Sequence, residues 1–251
     1  PYTTLFRSHA DSTEPVQEEM SQNTELEYSQ ETTLDTGKPI LLIVEDNEEI
    51  QKYIVESFTD SFEVITANNG EEGTQQALSR IPDIVVSDIM MPVMDGITLC
   101  KQLKDDVRTS HIPIILLTAK DSLQDKEEGY EVGADSYLTK PFSASLLRSR
   151  INNLLDSRKK LVAQFQAQST PGNQIDLSEK RIVIAEALSK LDNEFIEKIT
   201  LLIEENLSSE KIDINYLSDK MCMSGSTLYR KMKALTGLST NEYIRKVKMQ
   251  N

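Results

Sequence analysis

Five side chains of this 251-residue chain could together handle a phosphoryl group: Glu45, Asp46, Asp88, Thr118 and Lys140. Each stands at or near the end of an apolar run. "PILLIVED" (39–46) closes on two acids and "DIVVSD" (83–88) on one. "IPIILLTA" (112–119) carries a hydroxyl near its end, and "DSYLTK" (135–140) ends on an ammonium. A carboxylate at the end of a core strand is costly unless a charged or hydrogen-bonding partner meets it. Three carboxylates share a small cleft only if something offsets their charge. A hard divalent cation does so. Mg2+ takes a few carboxylate oxygens, a carbonyl and several waters, and Lys140 adds a second positive charge. Such a cluster attracts a phosphoryl group. Asp88 is then placed to attack it as a carboxylate nucleophile, giving an acyl phosphate. Mg2+, Lys140 and the Thr118 hydroxyl would stabilise the charge on its oxygens.

These ends meet only if the runs are strands of one sheet. "FEVITA" (62–67) reads as a further strand. Helical patterns run over Glu48–Phe58, Gly70–Ser79, Gly96–Leu103 and Ser122–Val132, and another begins after Pro141. Five strands alternating with helices argue for a parallel sheet covered on both faces, the doubly wound, flavodoxin-like class. In such sheets, sites form at the carboxyl ends of the strands. Some residues have plainer readings. Asp46-Asn47 also suits a helix N-cap, Asp95-Gly96 reads as turn chemistry, and His111 ends a loop before "IPII".

Residues from about 38 to 150 resemble a response-regulator receiver domain, the family of the chemotaxis regulator. The resemblance rests on "VEDN", "SDIMMPVMDG", "LLTA" and "YLTKPF" in that order and spacing. It implies that Asp88 is the phosphoacceptor, with Glu45 and Asp46 as metal acids and the Met90 carbonyl as a further Mg2+ ligand. It makes Thr118 the switch hydroxyl, Lys140 the phosphate-binding lysine and Tyr137 the rotating aromatic, and it implies a cis Lys140–Pro141 bond. Glu45 stands where an Asp is commoner and keeps the charge. The resemblance implies a histidine kinase as phosphoryl donor and a homodimer on phosphorylation. A phosphoacceptor of this kind is not itself an enzyme. The competing class is a phosphohydrolase of the haloacid-dehalogenase type, which needs a second Asp two residues after the nucleophile; position 90 is Met. A receiver acting through protein contacts alone is a third reading.

The final helix of this unit runs from Ser143 to about Phe165, so the receiver unit is expected over 38–167. Leu147, Ile151, Leu154, Leu161 and Phe165, with Arg158 in the missing position, resemble a short heptad stripe. A last receiver helix with an overhanging end accounts for the same pattern.

The chain carries a net charge of −14, so as a whole it is no polyanion binder. The charge is uneven. Residues 9–37 hold eight acidic groups and no Lys or Arg, whereas residues 207–251 hold 8 basic and 4 acidic groups. An acidic body with a basic end suggests a regulatory unit joined to a nucleic-acid reader. "LDNEFIEKITLLIEENL" (191–207) is amphipathic. In "DINYLSDKMCMSGSTLYRKMKALTG" (213–237) a short helix bears Leu217 and Met221, a turn surrounds Cys222-Met223, Ser224 caps a second helix, and Gly237 ends it. The second helix carries Ser226, Thr227, Tyr229, Arg230, Lys231 and Lys233 and reads as the DNA-facing half of a helix-turn-helix. A plain helical hairpin with a solvated basic face shares the pattern. The run "STLYRKMKALTG" resembles the first half of an AraC-type DNA-binding domain, with Gly225 standing where relatives often carry a larger polar residue. The resemblance implies a second helix-turn-helix, which 191–251 is expected to lack. The whole then resembles the cytoplasmic tail of a hybrid two-component sensor whose parent is anchored in the inner membrane.

Pro1–Ser8 resembles a translated sequencing adapter, His9–Gly37 is expected to be a disordered acidic linker, and 168–190 a second linker. Cys100 and Cys222 sit in no motif and read as packing or surface thiols of a reducing compartment. No apolar run approaches the roughly 18 residues that a membrane span needs. The expected location is cytoplasmic, with no membrane contact by this chain.

Overall fold

The computed structural model describes residues 37–119, 132–167, 189–207 and 212–250. The readings made for 1–36 and 168–188, and for the helix at 122–132 except its last residue, lie outside the described residues.

Five strands, β1 (Ile40–Val44), β2 (Glu63–Ala67), β3 (Ile84–Asp88), β4 (Ile114–Thr118) and β5 (Ser136–Thr139), form one sheet in the order β2-β1-β3-β4-β5. All four pairings are parallel. The sequence reading of a doubly wound, flavodoxin-like body holds. The three central strands are buried along their whole length, as continuous apolar strands covered on both faces must be. Their side chains alternate between two cores. Leu42, Val44, Val85 and Leu116 enter one, and Leu41, Ile43, Val86 and Leu117 the other. The helices between strands are α1 (Glu48–Phe58), α2 (Gly70–Arg80) and α3 (Gly96–Asp105). Asn47 caps α1, accepting from the N–H groups of Glu49 and Ile50, so the cap is Asn47 and Asp46 is left for other work.

The two edges of the sheet carry different chemistry. At the carboxyl edge stand Glu45, Asp88, Thr118 and Lys140. At the amino edge Asp83 accepts from the Ile40 N–H at 2.7 Å, and Asp135 from the Ile114 N–H at 2.8 Å. These carboxylates satisfy strand-end donors that have no ladder partner. At about 3.3 Å per residue, strands of this length separate the edges by roughly 16 Å. Cys100 is buried, and burial pushes its thiol up to about 12. Cys222 is exposed, and neither thiol is in a disulfide.

Helix α4 (Ala144–Ala167) packs its first half on the sheet through the fully buried Leu147 and Ile151. Its second half continues to the helical module. There Leu154, Arg158 and Leu161 line a cavity of about 200 Å3 with Ala234 and Leu235. The heptad-like stripe thus faces the chain's own elements; the Phe165 side chain lies outside the described residues. The module comprises α5 (Lys190–Glu204), α6 (Ile214–Met221), α7 (Gly225–Thr236) and α8 (Thr240–Gln250). Asp213 caps α6, and Cys222 (φ 53°) turns the chain out of it. Ser224 caps α7, and Gly237 (φ 71°) ends it. The short-helix, tight-turn, second-helix pattern read from the sequence is therefore present. Thr200 on α5 and Tyr243 on α8 share a hydroxyl–hydroxyl hydrogen bond of 2.8 Å.

His111 is buried just before β4, and its Nδ1 has no hydrogen-bond partner among the described residues. Burial first, then Lys231, Arg158 and Lys104, hold its pKa well below 6.5. The unfolded chain takes up a proton below its ordinary value and the folded chain does not, so stability falls as pH drops through that range. The slope contributed is at most about 1.4 kcal/mol per pH unit. Urea unfolding of wild type and His111→Gln between pH 7 and 5 checks this: the variant should lose less stability on acidification, and parallel losses would contradict it.

Candidate functional site

The carboxyl edge is assembled by the ends of four strands, β1, β3, β4 and β5, and by the loop after β3. At the end of β3 the Ile89 N–H donates to Asp88 Oδ1 at 2.9 Å, and the Ser87 hydroxyl to the Asp88 carbonyl at 2.8 Å. The loop then folds back, with the Gly96 N–H donating to the Ile89 carbonyl at 2.9 Å. A Cβ at position 96 would sit 2.0 Å from the Asp88 carbonyl oxygen, so only glycine lets α3 start against the strand end. Asp95 caps α3, its Oδ1 accepting from the Thr98 N–H at 2.6 Å, which gives it the structural role read from the sequence.

Into this corner comes Lys140. Its Nζ lies 2.7 Å from Glu45 Oε2 and 2.9 Å from Asp88 Oδ2. The Lys140 N–H donates to the Thr118 carbonyl at 2.8 Å, which ties the end of β5 to β4. The Lys140–Pro141 bond is cis, as the sequence implied. Thr118 is buried at the end of β4, its hydroxyl 3.1 Å from the Ala119 carbonyl oxygen. Tyr137 is half-buried on β5 and packs against the core that contains Leu116. Met90 lies exposed in the loop after β3.

Carboxylate oxygens of Glu45, Asp46 and Asp88 lie within 4.8 Å of one another. Glu45 and Asp88 are buried, and Asp46 faces solvent. Burial raises the Glu45 pKa, the Lys140 hydrogen bond pulls against it, and the Asp88 charge raises it further; the balance is upward. Burial alone would lower Lys140, but its hydrogen bonds to Glu45 and Asp88 outweigh that and hold the ammonium above its usual range. Three carboxyls thus face one ammonium, an excess of acid that invites a second cation. The donors are all oxygens, which fits a hard ion of the Mg2+ type rather than a thiophilic one.

The basic helix gives a mixed result. On α7, Ser226, Tyr229 and Arg230 are half-buried, and Lys233 is exposed. Thr227 is buried, its hydroxyl 2.8 Å from that of Ser224. Lys231 corrects the sequence reading: it is 0% exposed, so in this arrangement it meets no phosphate. Its Nζ lies 2.5 Å from Asp192 Oδ1 and 3.0 Å from Ser110 Oγ, with the Phe195 ring centroid at 5.0 Å. The signal was in the sequence. Asp192 continues the buried stripe Phe195, Ile199, Ile203 at helical spacing, and an acid on an apolar stripe needs a buried cation opposite.

The response regulator receiver domain family matches residues 41–152. Histidine kinase P4 of Formosa agariphila is 34% identical over 214 residues, 85% of this chain and 15% of that protein. The probable transcriptional regulator ycf29 of Pyropia yezoensis is 31% identical over 208 residues, 80% of this chain and 92% of that protein. A putative response regulator from Chloroflexus aurantiacus is similar at 36% identity and a TM-score of 0.46, covering 47% of this chain and 98% of that one. The chain therefore spans only a small part of the kinase relative.

In the loop that leads from Asp88 to α3, Val93 has φ 69° and is 79% exposed. A left-handed conformation costs an L-residue about 1–2 kcal/mol, and Asn bears it better than a β-branched side chain. Val93→Asn should raise the unfolding free energy by about 1 kcal/mol. Urea denaturation measures it; an unchanged or lower stability would show that the loop holds no such strain.

Proposed function

This chain belongs to the response-regulator receiver family, and from that premise we propose that it takes a phosphoryl group on Asp88 and thereby controls a DNA-reading module at 191–251. The observation that carries the first half is the placement of the Asp88 carboxylate. It lies 2.9 Å from the Lys140 ammonium and within 4.8 Å of the Glu45 and Asp46 oxygens, at the open edge of the sheet. An Asp88 oxygen forms the new P–O bond while the donor's P–N bond, in a phosphohistidine, breaks and the imidazole leaves. The ammonium of Lys140 turns from the carboxylates to the incoming phosphoryl oxygens, and the Thr118 hydroxyl, at the end of the neighbouring strand, is placed to donate a hydrogen bond to one of those oxygens. Glu45, Asp46, Asp88 and the Met90 carbonyl would hold Mg2+, which supplies charge neutralisation of the phosphoryl oxygens. Tyr137, on the strand that ends in Lys140, is placed to shift with that change.

The second half is supported by the helix-turn-helix geometry of α6 and α7, with its left-handed turn at Cys222 and the Ser224 cap. It is also supported by the length of the likeness to the Formosa kinase. That alignment covers 214 residues, whereas 41–152 is 112, so it must extend beyond the receiver. We read the module as AraC-type, the donor as a histidine kinase carried by the parent protein, and the phosphorylated form as a homodimer. The chain itself acts as phosphoacceptor rather than as an enzyme. Among the described residues no helix is long and apolar enough to cross a membrane.

Incubation with acetyl phosphate and Mg2+ should add one phosphoryl group to wild type by intact mass, and none to Asp88→Asn. Equal uptake by both would remove Asp88 from the role. Asp46→Asn should weaken Mg2+ binding by about an order of magnitude, since one ligand charge is lost. A divalent-ion titration with unchanged affinity would take Asp46 out of the metal set.

A further inference from the structure

The middle of α4 carries a cation that no acceptor meets. Arg158 is half-buried, two helical turns beyond the fully buried Ile151. A guanidinium has five N–H donors in a fixed fork. Among the described residues, those of Arg158 have no hydrogen-bond acceptor. By contrast, Arg80 holds Glu63, Arg108 holds Asp106, and Arg148 holds the Ser57 carbonyl and the Ser61 hydroxyl. Burial pushes the Arg158 pKa down, and the charges of Asp135, Asp192 and Asp83 offset this only in part. A buried polar group left without a partner calls for an explanation.

The acids around it are engaged elsewhere. Asp135 Oδ2 accepts from the Ile114 N–H at 2.8 Å and from Lys104 Nζ at 2.7 Å. Asp192 Oδ1 accepts from the Ser110 hydroxyl at 2.8 Å and from Lys231 Nζ at 2.5 Å. In each carboxylate one oxygen takes both bonds. The other, Asp135 Oδ1 or Asp192 Oδ2, accepts from no side chain among the described residues.

Arg158, Asp135 and Asp192 all line the cavity of about 200 Å3 beside α4, and Leu154, Leu161 and Leu235 give it an apolar side. A bare anion there would set a third negative charge beside two carboxylates. A bare cation would leave the guanidinium unmet. A molecule with both charges answers both needs and adds no net charge. The volume is about that of seven waters and falls below the roughly 300–1,000 Å3 of drug-sized pockets, so the molecule is small.

We infer that this cavity is a binding site for a small zwitterion, an α-amino acid with a short apolar side chain. Its carboxylate meets the fork of Arg158, its ammonium the carboxylates of Asp135 and Asp192, and its side chain the leucines. The site lies at the amino edge of the sheet, away from Asp88, and rests neither on the phosphoacceptor reading nor on the DNA-reading one.

Isothermal titration calorimetry of the full chain tests it with three probes of one shape: L-valine, isovalerate, which lacks the amine, and isobutylamine, which lacks the carboxylate. L-Valine should bind saturably, one per chain, and about tenfold or more tighter than either half, since each half forgoes a charge-assisted pairing. Two variants should weaken it about tenfold: Arg158→Gln, which removes the fork, and Leu161→Phe, which fills the cavity without touching a charge. Cooperative urea unfolding identifies a folded variant, and where only one folds, that one decides. No saturable heat from L-valine up to about 10 mM would overturn the site. Isovalerate binding as tightly as L-valine would overturn the zwitterion. L-Valine binding left unchanged in the folded variants would show that it binds elsewhere, and would overturn the assignment to this cavity.

Discussion

One ammonium between two buried carboxylates sets the functional edge of this sheet. Glu45 follows β1, Asp88 ends β3 and Lys140 follows β5, so the contacts of 2.7 and 2.9 Å join strands that are not all neighbours. Without the ammonium, Glu45 and Asp88 would be buried acids facing each other and Asp46 across a small cleft, and burial already raises Glu45. Removing one member of such a group is costly because the others stay buried and uncompensated. The parallel strand order, the glycine at 96 and the loop that turns back over Asp88 all serve to bring these three groups to one place. The same imbalance that needs Lys140 leaves the cluster open to a divalent ion and to a phosphoryl group.

Much of this was legible from the residues. Apolar runs ending in charge located all five strands to within two residues at each end, because continuous β-branched runs bounded by acids have few other readings. Ser224 was readable as a cap because helix starts have strong local chemistry, whereas Asp95, read as turn chemistry, proves to cap α3. The cluster was legible as a set: Glu45, Asp46, Asp88, Thr118 and Lys140 end successive runs, and a parallel sheet gathers such ends. What the residues hid was tertiary. Asp46 and Asn47 are equally good caps on paper, and only the backbone shows that Asn47 takes the role. Lys231 reads as one more cation on a basic helix, and its burial depends on Asp192, thirty-nine positions earlier. The heptad-like stripe on α4 could not announce that the chain's own module, rather than a second copy, meets its far half.

The two edges divide the labour. The carboxyl edge concentrates acid to hold cations and a phosphoryl group. The amino edge uses acid to close strand ends, with Asp83 and Asp135 accepting from backbone N–H groups. The three central strands between them, β1, β3 and β4, are fully buried and paired on both sides.

The most direct test of the central claim locates the acyl phosphate chemically. The chain is treated with acetyl phosphate and Mg2+, then with borohydride, which reduces an aspartyl phosphate to homoserine, and the product is mapped by peptide sequencing. The account requires homoserine at position 88 and at no other aspartate. Homoserine at Asp46 or Asp95, or none under conditions where the cluster binds Mg2+, would contradict it.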